Sequence, residues 1–267
     1  METVELHSVV YGQDPAVPNK PNVLVLHGLF GMGDNWATLA RKWSERWVVH
    51  TLDLRNHGQS PWNPDHSYEA LAADVKAYQD RCGIAQAVWL GHSMGGKVAQ
   101  FGACTYLHAV QALICVDMSP KAYPPHHQEI LEALHAVDFA RCQTRTDVEA
   151  QLTPFIPHAG MRQFLLKNVG RPTPTSLGWK FNLPVLEEHY SEITRALPTN
   201  RSYNGPTLFV RGGLSGYLQL DELPFLQQAF PRAQLVTVPG AGHWVHAEQP
   251  EVFSLEIEAF LKRQTGI

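Results

Sequence analysis

Residues 88–99 read VWLGHSMGGKVA, and this stretch decides the fold. Its first three residues are apolar and predict a short buried strand, and the residues after Gly95 predict a helix. Between them stands a Gly-x-Ser-x-Gly pattern centred on Ser93. Glycines two positions before and two after the serine suit a turn so sharp that side chains there would collide with neighbouring backbone. The alternative is a glycine-rich turn with an idle serine, but the strand and the helix on either side favour a turn that projects the Ser93 hydroxyl.

Apolar runs alternate with helical patterns on both sides of this turn. Strands are expected at residues 23–26, 48–54 and 113–116, and helical spacing is found at residues 68–82 and 97–106. Because these strands are apolar along their whole length, they are typical of a parallel sheet that is covered on both faces. The predicted fold class is therefore α/β, with a mostly parallel central sheet and helices on both sides of it.

The alternation stops at Ser119-Pro120 and resumes near residue 205. The intervening segment is helical in pattern, is rich in Pro and His, and shows no convincing strand. Strands are again expected at residues 207–210 and 234–238, followed by an amphipathic helix at residues 251–262. An insert at this place would cover the sheet edge where ligands bind in open α/β sheets. The sequence therefore predicts two domains. Residues 1–118 and 205–267 form the core domain, and residues 119–204 form a helical cap.

Composition and charge narrow the class of partner. Of the 267 residues, 44% are hydrophobic and 17% are charged, as in an ordinary globular enzyme. The net charge of -4 comes without any basic block, which argues against a nucleic-acid partner. The N-terminus has neither a cationic region nor a long apolar run, and no stretch is long enough to span a bilayer, so we expect neither a signal peptide nor a membrane partner. The cysteines lack CxxC spacing and are expected to be separate thiols, which predicts a cytoplasmic location; they are Cys82, Cys104, Cys115 and Cys142.

Two backbone N–H groups are predicted to form an oxyanion hole. The helix after Ser93 has free N–H groups at its start, and that of Met94 is the first candidate. The second donor is expected in the loop HGLFG, residues 27–31, where Leu29 is the best candidate and Phe30 the next. His27 is interpreted as a structural residue whose ring ties this loop to nearby backbone.

His243 is the predicted general base. It is one of fourteen histidines, but it lies in PGAGHW, residues 239–244, between the last expected strand and the last helix. The small residues let this loop reach the serine, where a neutral imidazole could accept its proton and later return it. His246, together with the pair His126-His127, leaves a metal site as an alternative, although no ligand spacing joins these residues to a cysteine or carboxylate cluster. The prediction is no metal and no cofactor.

The acid is expected at an unusual place. The loop RGGLSG, residues 211–216, has Ser215 where many such enzymes have an aspartate. A serine cannot carry the negative charge that stabilises an imidazolium. Asp117 ends the strand that follows the Ser93 turn and helix, at the same edge of the sheet, and we predict it as the acid. Ser215 is then expected to accept or relay a hydrogen bond to the same imidazole.

Other acids remain as alternatives to Asp117. Asp221 and Glu222 lie in the later loop, but their position suits the first turn of a helix, where acidic residues are favoured. Asp53 also ends an expected strand, and the residues after it are interpreted as a structural turn.

At this point the chain resembles a known family, the YbfF-type esterases of the α/β-hydrolase superfamily, which include relatives of the mammalian abhydrolase-domain proteins. The pair Asn56-His57, where broader hydrolases usually have glycine first, makes the resemblance specific. The resemblance implies carboxylesterase activity, including activity on thioesters such as acyl-CoA, and it agrees with Asp117 as the acid and a serine at position 215. It covers nearly the whole chain, through residues 27–31, 34–36, 53–61, 91–97, 116–117, 164–168, 179–184 and 240–248.

The leading hypothesis is hydrolysis of a small-molecule carboxylic ester or thioester through an acyl-enzyme on Ser93. The candidate pocket residues are aromatic, although such residues are equally typical of a cap core; they are Phe30, Trp179, Phe181 and Trp244. Carbon–carbon bond hydrolysis, lactone or peptide cleavage and perhydrolysis use the same residues and remain alternatives, as does a non-catalytic ligand receptor. Dehalogenase and epoxide hydrolase chemistry is disfavoured because position 93 is not an aspartate. No particular oligomeric state is predicted.

Overall fold

The computed structural model describes residues 2–14, 17, 20–125, 127–198 and 200–266. The strands are β1 (Ser8–Tyr11), β2 (Asn22–Leu26), β3 (Val48–Leu52), β4 (Ala87–His92), β5 (Val110–Val116), β6 (Val169–Thr173), β7 (Ser176–Trp179), β8 (Thr207–Gly212) and β9 (Ala233–Val238). The helices are α1 (Ala37–Trp43), α2 (Tyr68–Arg81), α3 (Met94–Thr105), α4 (Gln128–Ala136), α5 (Arg145–Leu152), α6 (Ala159–Leu166), α7 (Leu183–Glu188), α8 (Tyr190–Thr194), α9 (Leu223–Ala229), α10 (Val245–Glu248) and α11 (Pro250–Thr265). Short 3-10 turns lie at Gly33–Trp36, Phe139–Arg141 and Leu220–Glu222.

Seven strands form one sheet in the order β1-β3-β2-β4-β5-β8-β9. All neighbouring pairs are parallel except β1 with β3. The predicted α/β class with a mostly parallel sheet is confirmed. The edge strand β1 was not expected from the sequence, because its four residues are half-exposed and lack the continuous apolar run of the inner strands.

Both faces of the sheet are buried, which explains why its inner strands read as unbroken apolar runs. Alternate residues of β2 point to opposite faces: Leu24 and Leu26 pack with the core that includes α2 and α3, whereas Val23 and Val25 pack with the core that includes α1 and α11. The expected helices and strands are therefore present, with bounds that differ from the prediction by a few residues.

Between β5 and β8, the described residues form five helices, α4 to α8, and also a strand pair. Strands β6 and β7 form an antiparallel hairpin, so the prediction of an all-helical insert is wrong here. Glycine at positions 170 and 178 and proline at positions 172 and 174 mask the period-two pattern. Tertiary packing supplies what the pattern lacks, since Val169 and Leu177 are buried in the cap core.

The parallel register of β4 and β5 positions the two strand ends side by side. His92, the last residue of β4, is paired with Val116, the last residue of β5. Ser93 and Asp117 each follow directly, and the Ser93 N–H donates to the Val116 carbonyl at 3.1 Å. The sheet itself therefore brings a serine and an aspartate to the same edge.

Among the helices of the described residues, none combines the length and the apolar character that crossing a bilayer requires.

Candidate active site

Ser93 occupies a strained turn between β4 and α3. Its φ of 53° and ψ of -120° lie outside the regions that most non-glycine residues adopt. A Cβ atom at Gly91 would overlap the carbonyl of Gly95, and one at Gly95 would overlap the carbonyl of Leu26. The crowding predicted from the sequence is therefore the reason for both glycines.

Three side chains form a continuous line of hydrogen bonds at the sheet edge. The Ser93 hydroxyl lies 3.0 Å from Nε2 of His243, and Nδ1 of His243 lies 2.8 Å from Oδ2 of Asp117. Because a carboxylate only accepts hydrogen bonds, Nδ1 carries the ring proton and Nε2 is left to accept from the serine. The structure thus brings together the three residues predicted for the reaction.

Asp117 is held by several donors. It is fully buried, its φ is 50°, and its N–H donates to the Val210 carbonyl at 2.7 Å. Oδ1 accepts from the Gly212 N–H at 3.1 Å, and Oδ2 accepts from the Ser215 hydroxyl as well as from His243. Burial raises the pKa of Asp117 to about 7, and the hydrogen bonds from Ser215 and Gly212 oppose that rise.

Ser215 is linked to the imidazole through Asp117. Its hydroxyl donates to the Asp117 carboxylate, which in turn accepts from Nδ1 of His243, and it accepts from the Tyr217 N–H at 3.2 Å. The loop after β8 turns beside the end of β5, because these strands are neighbours, and this places the serine against the carboxylate.

The alternative acids lie elsewhere. Asp221 is exposed in a 3-10 turn, and Glu222 forms an ion pair with Lys121 at 2.6 Å. Asp53 accepts the N–H groups of Gly33 and Gln59 at 2.7 and 2.8 Å, as a residue of a structural turn does.

Replacing Ser215 by alanine tests its effect on Asp117. The substitution removes a hydrogen bond that lowers the pKa of the carboxyl, so a higher pH is needed to ionise it. We expect the midpoint of the acid limb in the pH profile of kcat/KM to rise by about one pH unit. This shift corresponds to the free energy of one hydrogen bond to a charged group. An exposed hydroxyl, removed by Ser191→Ala, serves as the control. An acid limb that stays in place would show that Ser215 does not tune Asp117.

The loop after β2 lies directly against the serine. A Cβ atom at Gly28 would stand 3.2 Å from Cβ of Ser93. The Phe30 N–H is engaged, since it donates to Nε2 of His57 at 3.3 Å. Over the described ranges, no protein acceptor is found for the N–H groups of Leu29 or Met94. These two donors are therefore available for an oxyanion, and Phe30 is the weaker candidate.

His27 holds this loop in place. Its Nε2 accepts from the Leu54 N–H at 3.0 Å, and its Nδ1 donates to the Gly28 carbonyl at 2.8 Å. Burial lowers the pKa of His27 to about 4, so the ring is neutral at neutral pH. The expected structural role of this histidine is confirmed.

Two residues that support His243 were not found from the sequence. Nε2 of His92 donates to the His243 carbonyl at 2.9 Å, and the Tyr217 ring stacks on the imidazole with centroids 3.8 Å apart. Burial holds the pKa of His92 well below its ordinary value, so this ring is a neutral donor. The position of His92 next to Ser93 is a usable signal, but nothing local in the sequence indicates the stacking of Tyr217.

The serine opens into a cleft with about 490 Å³ of space, part of it open to solvent. Phe30 and Trp244 line it, as predicted. Trp179 and Phe181 do not; Phe181 is 1% exposed and packs between Phe30 and Trp179 at centroid distances of 5.0 and 5.2 Å. These two aromatics belong to the cap core, and the cap side of the cleft is instead formed by His127, Ile130, Met161 and Phe164.

This placement predicts how Phe181→Ala behaves. Removing a buried ring leaves a cavity, and we expect a loss of about 3–5 kcal/mol in the free energy of unfolding, measured with urea. The exposed Phe155 offers a matched control, and Phe155→Ala should unfold almost as the wild type does. If the Phe181→Ala protein instead had unchanged stability but an altered KM, Phe181 would be part of the substrate pocket.

Two residues of the metal alternative, His246 and His127, make contacts with other side chains. His246 is buried and stacks on Trp36 with centroids 4.1 Å apart, and Nδ1 of His127 lies 2.7 Å from the Tyr190 hydroxyl. His126 lies outside the described residues. No set of three or more His, Cys, Asp or Glu side chains placed to hold a metal ion is found among those that are described.

The sheet order, the strained serine turn between β4 and α3, and the histidine after the last strand together define an α/β-hydrolase. The chain belongs to the alpha/beta hydrolase family, which residues 23–255 match.

Individual relatives agree with this assignment. The chain is 38% identical over 253 residues to sn-1-specific diacylglycerol lipase ABHD11 of Mus musculus, covering 90% of this chain and 81% of the relative. It is 36% identical over 246 residues to esterase YbfF of Escherichia coli, covering 91% and 93%. A solved marine microorganism esterase is 34% identical, has a TM-score of 0.92, and is matched over 97% of this chain and 100% of that one. The resemblance to YbfF-type esterases is confirmed.

Proposed function

We propose that this chain is a carboxylesterase that cleaves its substrate through an acyl-enzyme on Ser93. The observation that carries the proposal is the continuous line from Asp117 through His243 to Ser93, with hydrogen-bond distances of 2.8 and 3.0 Å. The esterase and lipase names of relatives that match over most of the chain support it.

In the first half of the reaction, the Ser93 oxygen attacks the ester carbonyl while Nε2 of His243 takes the hydroxyl proton. The ionised Asp117 stabilises the imidazolium that forms and keeps Nδ1 protonated. The N–H groups of Leu29 and Met94 stabilise the negative charge on the carbonyl oxygen, each worth about 3 kcal/mol in the transition state.

The imidazolium then gives its proton to the leaving alcohol or thiol, and the acyl group remains on Ser93. A water molecule takes the place of the leaving group, loses its proton to His243 and attacks the acyl carbonyl. The product acid leaves as the proton returns to the Ser93 oxygen.

Apolar acyl groups suit the cleft, which extends under the cap. Ile130, Met161 and Phe164 present apolar surface opposite Phe30 and Trp244. Carboxylic thioesters such as acyl-CoA belong to the proposed range, because the same residues act on a thioester carbonyl and the thiol is a good leaving group.

The proposed division of the chain is a core of residues 1–118 and 205–267 with a cap of residues 119–204. The cap is tied to core loops, since Asn168 Nδ2 donates to the Phe30 carbonyl at 2.6 Å and the Asn182 N–H donates to the Asn56 carbonyl at 2.9 Å. This arrangement supports a cap that defines the cleft without supplying the reacting side chains.

We also propose a reducing compartment, such as the cytoplasm, as the location of the protein. The support is that all four cysteines are free thiols, including the exposed Cys82.

The proposal is tested with p-nitrophenyl esters and acyl-CoA thioesters of graded acyl length. We expect turnover of esters, with kcat/KM depending on chain length as the cleft fills. Labelling of the wild type by a fluorophosphonate checks independently for an activated serine. A protein that turns over no ester or thioester and takes up no label would be a ligand-binding module.

A further inference from the structure

A second recess adjoins the cleft, and it is lined by cations. One wall consists of Met32, Gly33 and Asp34, which directly follow the cleft residue Gly31. The segment between β5 and β8 contributes Arg145, Lys167 and Lys180 to the lining. We call this space of about 780 Å³, part of it open to solvent, the basic recess.

Among the residues that the structure describes, the three cations of the basic recess have no carboxylate partner. Some cations elsewhere do form ion pairs with carboxylates, such as Lys121 with Glu222 and Lys76 with Asp80, both at 2.6 Å. Within the described ranges no ion pair involves Arg145, Lys167 or Lys180. Arg145 is positioned by the Val169 carbonyl, to which Nη2 donates at 3.0 Å.

The negative groups nearby do not cancel this charge. The Asp53 carboxylate is buried and already accepts the N–H groups of Gly33 and Gln59. Asp34 also lines the recess and is exposed to solvent. His7 also faces the recess, with Nε2 2.9 Å from the Gln59 amide. The recess therefore has three cations and two carboxylates, and a bound anion would neutralise the excess positive charge.

The basic recess lies beside the cleft. Phe164 lines the cleft and Lys167 lines the recess, and residues three apart on a helix lie on the same face. A third space is lined by the cleft residues Phe164 and Trp244 and by the recess residue Lys167.

We infer that the basic recess binds a phosphate group which the substrate carries at a distance from its scissile carbonyl. The inference rests on the proposed esterase function and names the substrate class of that site. A guanidinium and two ammonium groups suit a phosphate, because they supply several charge-assisted hydrogen bonds at once. The phosphate could belong to a nucleotide-bearing thiol or to a glycerol phosphate, and the experiment separates these sources.

The test compares matched substrates on the wild type and on the double variant Lys167→Gln/Lys180→Gln. One pair is an acyl-CoA and the same acyl pantetheine thioester, and the other is a 1-acylglycerol phosphate and the same 1-acylglycerol. We expect the wild type to prefer the phosphate-bearing member of at least one pair by about tenfold or more in kcat/KM, mainly through KM. The double variant should lose that preference, yet cleave a neutral p-nitrophenyl ester within about twofold of the wild-type rate.

The control is Lys262→Gln, which removes a surface charge on α11. Equal kcat/KM for both members of both pairs, or a preference that persists in the double variant, would overturn the inference while leaving the esterase function intact. Absence of all ester and thioester cleavage would instead contradict the proposed function. The recess then has its own readout, since calorimetric binding of coenzyme A or of 1-acylglycerol phosphate should weaken in the double variant, and unchanged binding of both would overturn the inference.

Discussion

Ser93→Ala should lower kcat on p-nitrophenyl esters by at least about 10³-fold, because removal of the nucleophile disables the unit of three residues as a whole. The remaining rate would come from binding and the oxyanion donors, which act without the serine. The variant should also lose fluorophosphonate labelling. Steady-state kinetics with an active-site-titrated preparation measure the first effect, and labelling followed by gel fluorescence measures the second.

The control is Ser191→Ala, on the exposed side of α8. It should retain wild-type turnover and labelling. Activity of Ser93→Ala at the wild-type level would remove Ser93 from the reaction, however well its hydroxyl is aligned with His243.

The second large effect is expected for Asp117→Asn. The amide cannot stabilise an imidazolium, and it favours the wrong tautomer of His243, so kcat should fall by about 10⁴-fold. Asp221→Asn should stay near the wild-type rate, since Asp221 lies on an exposed 3-10 turn. If Asp221→Asn lost far more activity than Asp117→Asn, the acid would be in the loop after β8.

A measurement of stability distinguishes a loss of catalysis in Asp117→Asn from misfolding of the variant. Burial raises the pKa of Asp117 to about 7, so the folded protein binds this proton more tightly than the unfolded chain does. The resulting contribution to the free energy of unfolding is fully present below the ordinary pKa of an aspartate and is lost as the pH rises through 7. The neutral amide of Asp117→Asn does not undergo this loss. We expect the variant to unfold at pH 8 at a urea concentration no lower than the wild type, while it is nearly inactive. An early urea transition would point to a folding defect.

The parts of the site that sequence could predict are those with local causes. The turn at Ser93 depends on glycines within two residues of it, and the His243 loop depends on small residues next to it, so both patterns are readable. Asp117 needed one further step, because its role follows from strand adjacency and from the presence of Ser215 at the usual acid position. The register of β4 and β5 then gives that adjacency its physical basis.

The parts that sequence missed depend on tertiary packing. Trp179 and Phe181 have the composition of either a pocket or a core, and only the fold of the cap decides that they pack behind Phe30. The hairpin of β6 and β7 is hidden by glycine and proline within its strands. The stacking of Tyr217 on His243 joins two loops that follow different strands, and no local pattern records such a contact.

Because Ser93 and Asp117 follow paired ends of neighbouring strands, their separation is fixed by the hydrogen-bond ladder of the sheet. His243 is the member of the three that lies away from a strand end, on the loop between β9 and α10, which a hydrogen bond from His92 and the Tyr217 ring hold in place. Warming should therefore separate the imidazole from its two partners before the sheet melts. Catalysis and folding would then have different temperature limits, and heat resistance of the activity would depend on the loop more than on the core.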